Sequence, residues 1–130
     1  CTGDELKAAI TELTNSGPDT VIITGVPVQG KPNLTSVIAR SRTDGRTWKV
    51  TCPYLPAHYP GTGDAFTSVI TGSLLQGDSL PIALDRAAQF ILQGIRATFG
   101  YQTDNREGIL LERVLQNLSL PIQSATYELV

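Results

Sequence analysis

An α/β fold, with helices packed on a mainly parallel sheet that includes a β-hairpin, is what this sequence predicts, and three patterns predict it. An amphipathic helical segment is followed by a short turn and a β-branched run. Two strand-like runs flank an Asp-Gly pair. Helical patterning then fills most of the second half of the chain.

The first helix is expected over Asp4 to Asn15, where Leu6, Ala9, Ile10 and Leu13 recur at helical spacing. Thr2 and Asp4 offer N-cap oxygens, acids fill the first turn, and Gly17-Pro18 stops the helix. "DTVIITG", Asp19 to Gly25, is a short unbroken β-branched run between turn residues, the pattern of a strand buried on both faces. Helix, turn and buried strand make the second half of a β-α-β unit and so imply a parallel sheet. After the loop "GVPVQGKPN", the runs Leu34 to Ser41 and Thr47 to Cys52 flank Asp44-Gly45 and predict a hairpin. The proline-rich "PYLPAHYP" then leads into "GTGDAF".

A helix is expected from Asp64 to Leu75, rich in small residues and closed by Gly77. A second is expected from Pro81 to about Phe99, with Ile82, Ala83, Ala87, Phe90, Ile91 and Ile95 on one side. A third is expected from about Glu107 to Leu118. The tail "QSATYELV" suits either a last strand or an ordered extension. One buried parallel strand needs parallel neighbours, and the sequence supplies too few of them.

Composition narrows the function classes. The chain has 130 residues, one domain's worth, with a net charge of −2 and no basic stripe, which argues against nucleic acid as a partner. No apolar run approaches the roughly 20 residues that span a bilayer, and no signal-peptide pattern opens the sequence. Cys1 and Cys52 lie far apart and outside any C-x-x-C pattern, so they read as free thiols of a reducing cytoplasm rather than a disulfide or metal pair. Asn33-Leu34-Thr35 and Asn117-Leu118-Ser119 match the glycosylation triplet, and without a signal-peptide pattern the matches read as accidental. There is no methionine, and the first residue is a cysteine. The chain is therefore expected either to have lost its initiator or to have been cut from something longer.

The chemistry concentrates in "PGTGDAF". Two glycines around one small residue let the backbone turn sharply and gather N–H groups on one side. A helix starting there adds its unpaired first-turn N–H groups and the positive end of its dipole, which makes an anion site. Asp64 has two readings: a cap for the helix, or a base that takes a proton from a hydroxyl attacking a bound phosphate. Neither the P-loop pattern nor G-x-G-x-x-G fits.

The stretch "GTGDAFTSVITGSLLQGDSLPIALDRAAQF", Gly61 to Phe90, resembles the C-terminal signature of the ribokinase-like superfamily of small-molecule kinases. Within it the vitamin B6 kinases (pyridoxal, pyridoxine and pyridoxamine kinases) look closest. Sugar kinases usually have alanine in place of Thr62, and hydroxymethylpyrimidine kinases usually have cysteine in place of Asp64. "TDNREGILLE", Thr103 to Glu112, also resembles the end of bacterial pyridoxamine-kinase-like proteins. The resemblance implies the C-terminal part of a three-layer α/β/α fold, with residues 1–130 forming a single, nucleotide-binding domain of a longer kinase.

It also implies roles. Asp64 corresponds to the catalytic base acting on the substrate's 5′-hydroxyl, and Gly61, Thr62 and Gly63 to the anion hole around the transferred phosphate. Thr24 and Gly25 sit where ATP phosphates are contacted, and Tyr59, with the hairpin, where adenine and ribose are flanked. His58 reads as an exposed loop residue beside the site rather than a nucleotide contact. The Asn-x-x-Glu motif that organises Mg²⁺ belongs to an N-terminal half. "CTGDEL" resembles the residues immediately after that motif, so no metal ligand is expected in this chain. The implied activity of the parent protein is ATP-dependent phosphorylation of pyridoxal, pyridoxamine or pyridoxine in the cytoplasm, away from membranes. The alternatives are a hydroxymethylpyrimidine or sugar kinase, and a non-catalytic nucleotide-binding or assembly module. Alone, the chain is expected to bind ATP weakly at best and transfer nothing. It is expected to associate, as a homodimer or with the other half.

Overall fold

The computed structural model describes residues 2–54, 59–99, 108–120 and 126–130. Four strands, β1 (Thr20–Pro27), β2 (Leu34–Ser41), β3 (Thr47–Pro53) and β4 (Tyr127–Leu129), form one sheet in that order. Helix α1 (Gly3–Asn15) packs on β1 and β2. Helices α2 (Thr62–Leu75) and α3 (Leu80–Phe99) pack on each other, and α3 lies on the other sheet face against β2, β3 and β4. The result is the expected α/β chain in three layers.

Local chemistry explains most of the boundaries. Thr2 closes a capping box: its hydroxyl accepts from the Glu5 amide at 3.3 Å, and Glu5 Oε2 accepts from the Thr2 amide at 2.9 Å. The β2–β3 hairpin forms where expected, with Arg40 opposite Thr47 and Val37 opposite Val50. Its turn depends on Gly45 at φ 69° and on Asp44 Oδ1, which accepts from the Arg46 amide at 2.9 Å. Alternation then sends Val37, Ala39 and Val50 towards α2 and α3. There Phe66, Ile70, Leu84, Ala87 and Ala88 complete the core.

The sheet corrects one expectation. The run at Asp19–Gly25 was expected to be a parallel strand buried on both faces. Instead β1 pairs antiparallel with β2, and every pairing among the described residues is antiparallel. Val21, Ile22 and Ile23 are only half-buried, because the far edge of β1 meets no strand among the described residues. The β-branched pattern reports what the strand can bury, and this chain supplies cover for part of it.

The third helix is a second correction. Glu107 lies outside the described residues, and the rest of that segment forms two 3₁₀ turns, Leu111–Arg113 and Leu115–Ser119. Gly108 at φ 75° cannot belong to an α-helix, and the amides of Val114 and Asn117 donate three residues back, to Leu111 and Val114. Arg86 secures the end of this segment, donating from one guanidinium nitrogen to the carbonyls of Leu118 (3.1 Å) and Leu120 (3.2 Å). The tail resolves as β4, with Tyr127 set edge-on to Trp48 at a ring-centroid distance of 5.7 Å. Asp85, fully buried on α3, accepts from the hydroxyl of Thr126 and from Gln89 Nε2 at 3.2 Å, and so fixes the entry to that strand.

Asp78, in the turn between α2 and α3, accepts from Ser73 and Gln76 and lies 3.6 Å from Arg86. The Ser73 and Gln76 hydrogen bonds, then the Arg86 cation, hold its carboxyl below the ordinary carboxylate range. A carboxyl lowered in the folded state stabilises above its unfolded value, about 3.9, and that contribution is lost as pH falls through the folded value. Asp78→Asn is therefore expected to melt below wild type at pH 7. The gap should narrow as the pH falls below about 4, as read by thermal unfolding across pH.

Candidate functional site

The approach to α2 is built on one left-handed residue. Gly61, at φ 86° and ψ −3°, is the N-cap of α2, and no side chain caps the helix. The first helical hydrogen bond runs from the Ala65 amide to the Gly61 carbonyl, at 3.0 Å. The amides of Thr62, Gly63 and Asp64 therefore donate to no acceptor among the described residues. Thr62 turns its hydroxyl back to the carbonyl of Tyr59, at 3.2 Å, which keeps that side chain off the amides. A Cβ added at Gly61 or Gly63 would meet nothing within 4 Å, so the space in front of the turn is open. Three free amides, an open approach and the positive end of a 14-residue helix fit a phosphate.

Asp64 is inside the first turn of α2 and exposed, so the capping alternative is not what the structure uses. Its carbonyl accepts from Ser68 Oγ at 2.8 Å, while its carboxylate takes part in no hydrogen bond among the described residues and is free to meet a ligand. Thr67 and Thr71 likewise bond back to carbonyls one turn earlier, at 2.9 and 2.8 Å. These polar residues thus satisfy themselves within the helix.

Thr24 and Gly25 form a β-bulge: between Ile23 opposite Ile38 and Val26 opposite Ser36, the two of them face the single residue Val37. Gly25 at φ 68° makes the bulge possible, and both residues are exposed. A cleft of about 790 Å³ opens between β1–β2–β3 and α2–α3, and it brings Thr24, Thr62 and Gly63 into one lining. Gly25, Gly61 and Asp64 lie outside that lining, and Tyr59 is buried at 5% exposure. His58 lies outside the described residues.

The cleft also uses residues that sequence reasoning did not single out. Thr35, Cys52 and Tyr54 line it from the hairpin, together with apolar Ile22, Phe66 and Ile91. Alternation from buried Val50 puts Cys52 on the inward face, and the cross-sheet geometry sets it in the cleft with α2. Burial raises its thiol above the ordinary value. Among the described residues no three His, Cys, Asp or Glu side chains converge on a possible metal position.

Helices layered on a sheet, with a glycine turn at the mouth of α2, agree with a ribokinase-like α/β protein, and the family match places the chain in that superfamily. More particularly, the chain belongs to the phosphomethylpyrimidine kinase family, whose pattern it matches over residues 2–108. A curated relative, the hydroxymethylpyrimidine/phosphomethylpyrimidine kinase of Bacillus subtilis (strain 168), is 30% identical over 99 residues, which are 75% of this chain and 35% of that protein. A Bacteroides thetaiotaomicron VPI-5482 protein provisionally named a phosphomethylpyrimidine kinase is 69% identical, with a TM-score of 0.96 over all of this chain and 44% of that one. A second crystal form of a protein so named from that organism, 70% identical with a TM-score of 0.94, contains pyridoxal and is 46% covered. The pyridoxal kinase of Leishmania donovani, solved with ADP, shares the fold at 19% identity and a TM-score of 0.78, with 100% of this chain and 45% of that one covered. The chain thus spans less than half the length of each of these relatives.

The two glycines of the turn are expected to respond oppositely to a methyl group. Gly61→Ala forces a left-handed residue and is expected to cost about 1–2 kcal/mol. Gly63→Ala, helical and unobstructed, is expected to be neutral or to stabilise by up to about 1 kcal/mol. Urea unfolding of the two variants checks this.

Proposed function

We propose that the full-length protein carrying this chain is an ATP-dependent kinase for the 5′-hydroxyl of pyridoxal, pyridoxamine or pyridoxine, acting in the cytoplasm. The observation that carries the reading is the pairing at the mouth of α2. Three uncommitted amides stand beside an exposed carboxylate with no partner of its own among the described residues. In this reading the amides of the Gly61–Gly63 turn and Asp64 hold the transferred phosphate against its developing charge, and the Asp64 carboxylate takes the hydroxyl proton. Thr24 and Gly25 contact the ATP phosphates from the bulge, and Tyr59 flanks the nucleotide. ATP supplies the phosphoryl group, and the Mg²⁺ it carries is organised by residues outside this chain. The relative at 70% identity that holds pyridoxal supports the substrate class.

A hydroxymethylpyrimidine substrate is the second reading, favoured by the family match and by the Bacillus relative. Asp64 weighs against it, because hydroxymethylpyrimidine kinases usually carry cysteine there. Steady-state assays of the full-length protein with ATP and each vitamer or hydroxymethylpyrimidine separate the two readings. Asp64→Asn is expected to lower kcat/KM at least about a hundredfold on the preferred substrate. A variant within a few-fold of wild type would sink the assigned role.

The residues beyond this chain in longer relatives suggest what covers its apolar surface. Leu75 is 84% exposed and Tyr54 58%, and the outer edge of β1 meets no strand among the described residues. Such surface favours association, with the remainder of the longer polypeptide or with a second copy. In this reading the 130-residue chain alone is an assembly-prone fragment without turnover. Light scattering at high concentration is expected to show species larger than a monomer, and a strictly monomeric chain would overturn this.

A further inference from the structure

We propose that Gly108–Leu110 is a brace behind the anion turn, and that Gly108 is a positioning residue for the phosphate-binding amides. The inference rests on the phosphate-binding reading of the Gly61–Gly63 turn. Gly108 is buried, sits at φ 75°, and approaches the turn so closely that a Cβ there would lie 2.9 Å from the carbonyl oxygen of Pro60. Pro60 is bonded directly to Gly61, whose left-handed backbone launches α2. A displacement of the Pro60 peptide is therefore a displacement of the first free amides.

The brace is tied to the rigid part of the fold. Ile109 lies against α3 at Gly94, where an added Cβ would come within 3.1 Å of the Ile109 Cδ1. The Leu110 amide donates at 2.8 Å to the hydroxyl of Thr98, which itself donates to the Gly94 carbonyl at 2.8 Å and is fully buried. Val114, 5% exposed, anchors the segment a turn further on. Contacts thus run without a gap from the core of α3, through Ile109 and Leu110, to Gly108 and the Pro60 carbonyl. A backbone oxygen cannot yield as a flexible side-chain tip can, so a methyl at 108 shifts either the turn or the brace. Preorganised donors lose their effect when displaced by a fraction of an ångström to an ångström.

The test uses the full-length protein and separates position from stability. Gly108→Ala is expected to raise the KM for ATP about tenfold or more, while the KM for the phosphoryl acceptor stays within about threefold. Gly77→Ala is the control: φ 102° imposes similar backbone strain, but no atom lies within 4 Å of the added Cβ. It is expected to lower the Tm comparably and leave the KM for ATP unchanged. A Gly108→Ala protein with lowered Tm and an ATP KM equal to that of wild type overturns the brace. So does an equal rise in Gly77→Ala. If Gly108→Ala does not fold, Thr98→Val, which removes the acceptor for the Leu110 amide, decides by the same readout. A raised ATP KM supports the brace and an unchanged one overturns it. Backbone amide NMR signals of Thr62, Gly63 and Asp64 that do not shift when ATP is added to the wild-type protein would instead count against the phosphate-binding reading of the turn itself, so the two failures are distinguishable.

Discussion

Everything at the mouth of α2 depends on how closely α3 can lie against its neighbours. α3 presents Ala83, Ala87, Ala88 and Gly94 as buried positions, interleaved with fully buried Leu84. Small side chains let the helix approach α2 on one side and the Val37–Val50 pair of the hairpin on the other. Phe66 and Ile70 fill what remains, and they fix the rotation of α2. That rotation turns Phe66 inward and leaves Gly63, Asp64 and Thr67 exposed at the same end. A larger residue on the inner face of α3 would tilt α2 and move its N-terminus.

The same helix gathers the polar ties of the chain. Asp85 holds the entry to β4 through Thr126, Arg86 holds the 3₁₀ segment through two carbonyls, and Thr98 holds Leu110. Each tie buries a polar group that would be costly if unpaired, so each fixes a segment in one position. α3 is therefore the scaffold on which an irregular C-terminal stretch is organised. The elements that shape the site, by contrast, carry few ties: β1 ends in a bulge, and the turn before α2 is glycine. Rigid support thus stands behind the sparse, open backbone at the mouth of α2.

The two ends of the sheet differ. At one end β4 closes onto β3, with Tyr127 against Trp48. At the other, β1 keeps a half-buried β-branched run and an unpaired edge among the described residues. The bulge at Thr24–Gly25 and the apolar cleft lie on that same open side.

Much of this architecture is legible in the amino-acid order. The Asp44-Gly45 turn, the Thr2 cap and the small-residue run after Asp64 are local devices whose geometry comes from side-chain and backbone preferences a few residues apart. By itself the sequence determined the hairpin, the three α-helices and a glycine turn at the start of α2. Only the tertiary structure decided the rest. It made β1 an antiparallel neighbour of β2, because pairing depends on which strands are present to pair. It converted the expected last helix into 3₁₀ turns, because Gly108 and the carbonyls held by Arg86 answer to distant partners. It set Gly108 against Pro60, a contact between residues far apart in the chain that no local pattern records. Short-range chemistry is written in neighbouring residues, whereas long-range contact is set by packing, and the site needs both.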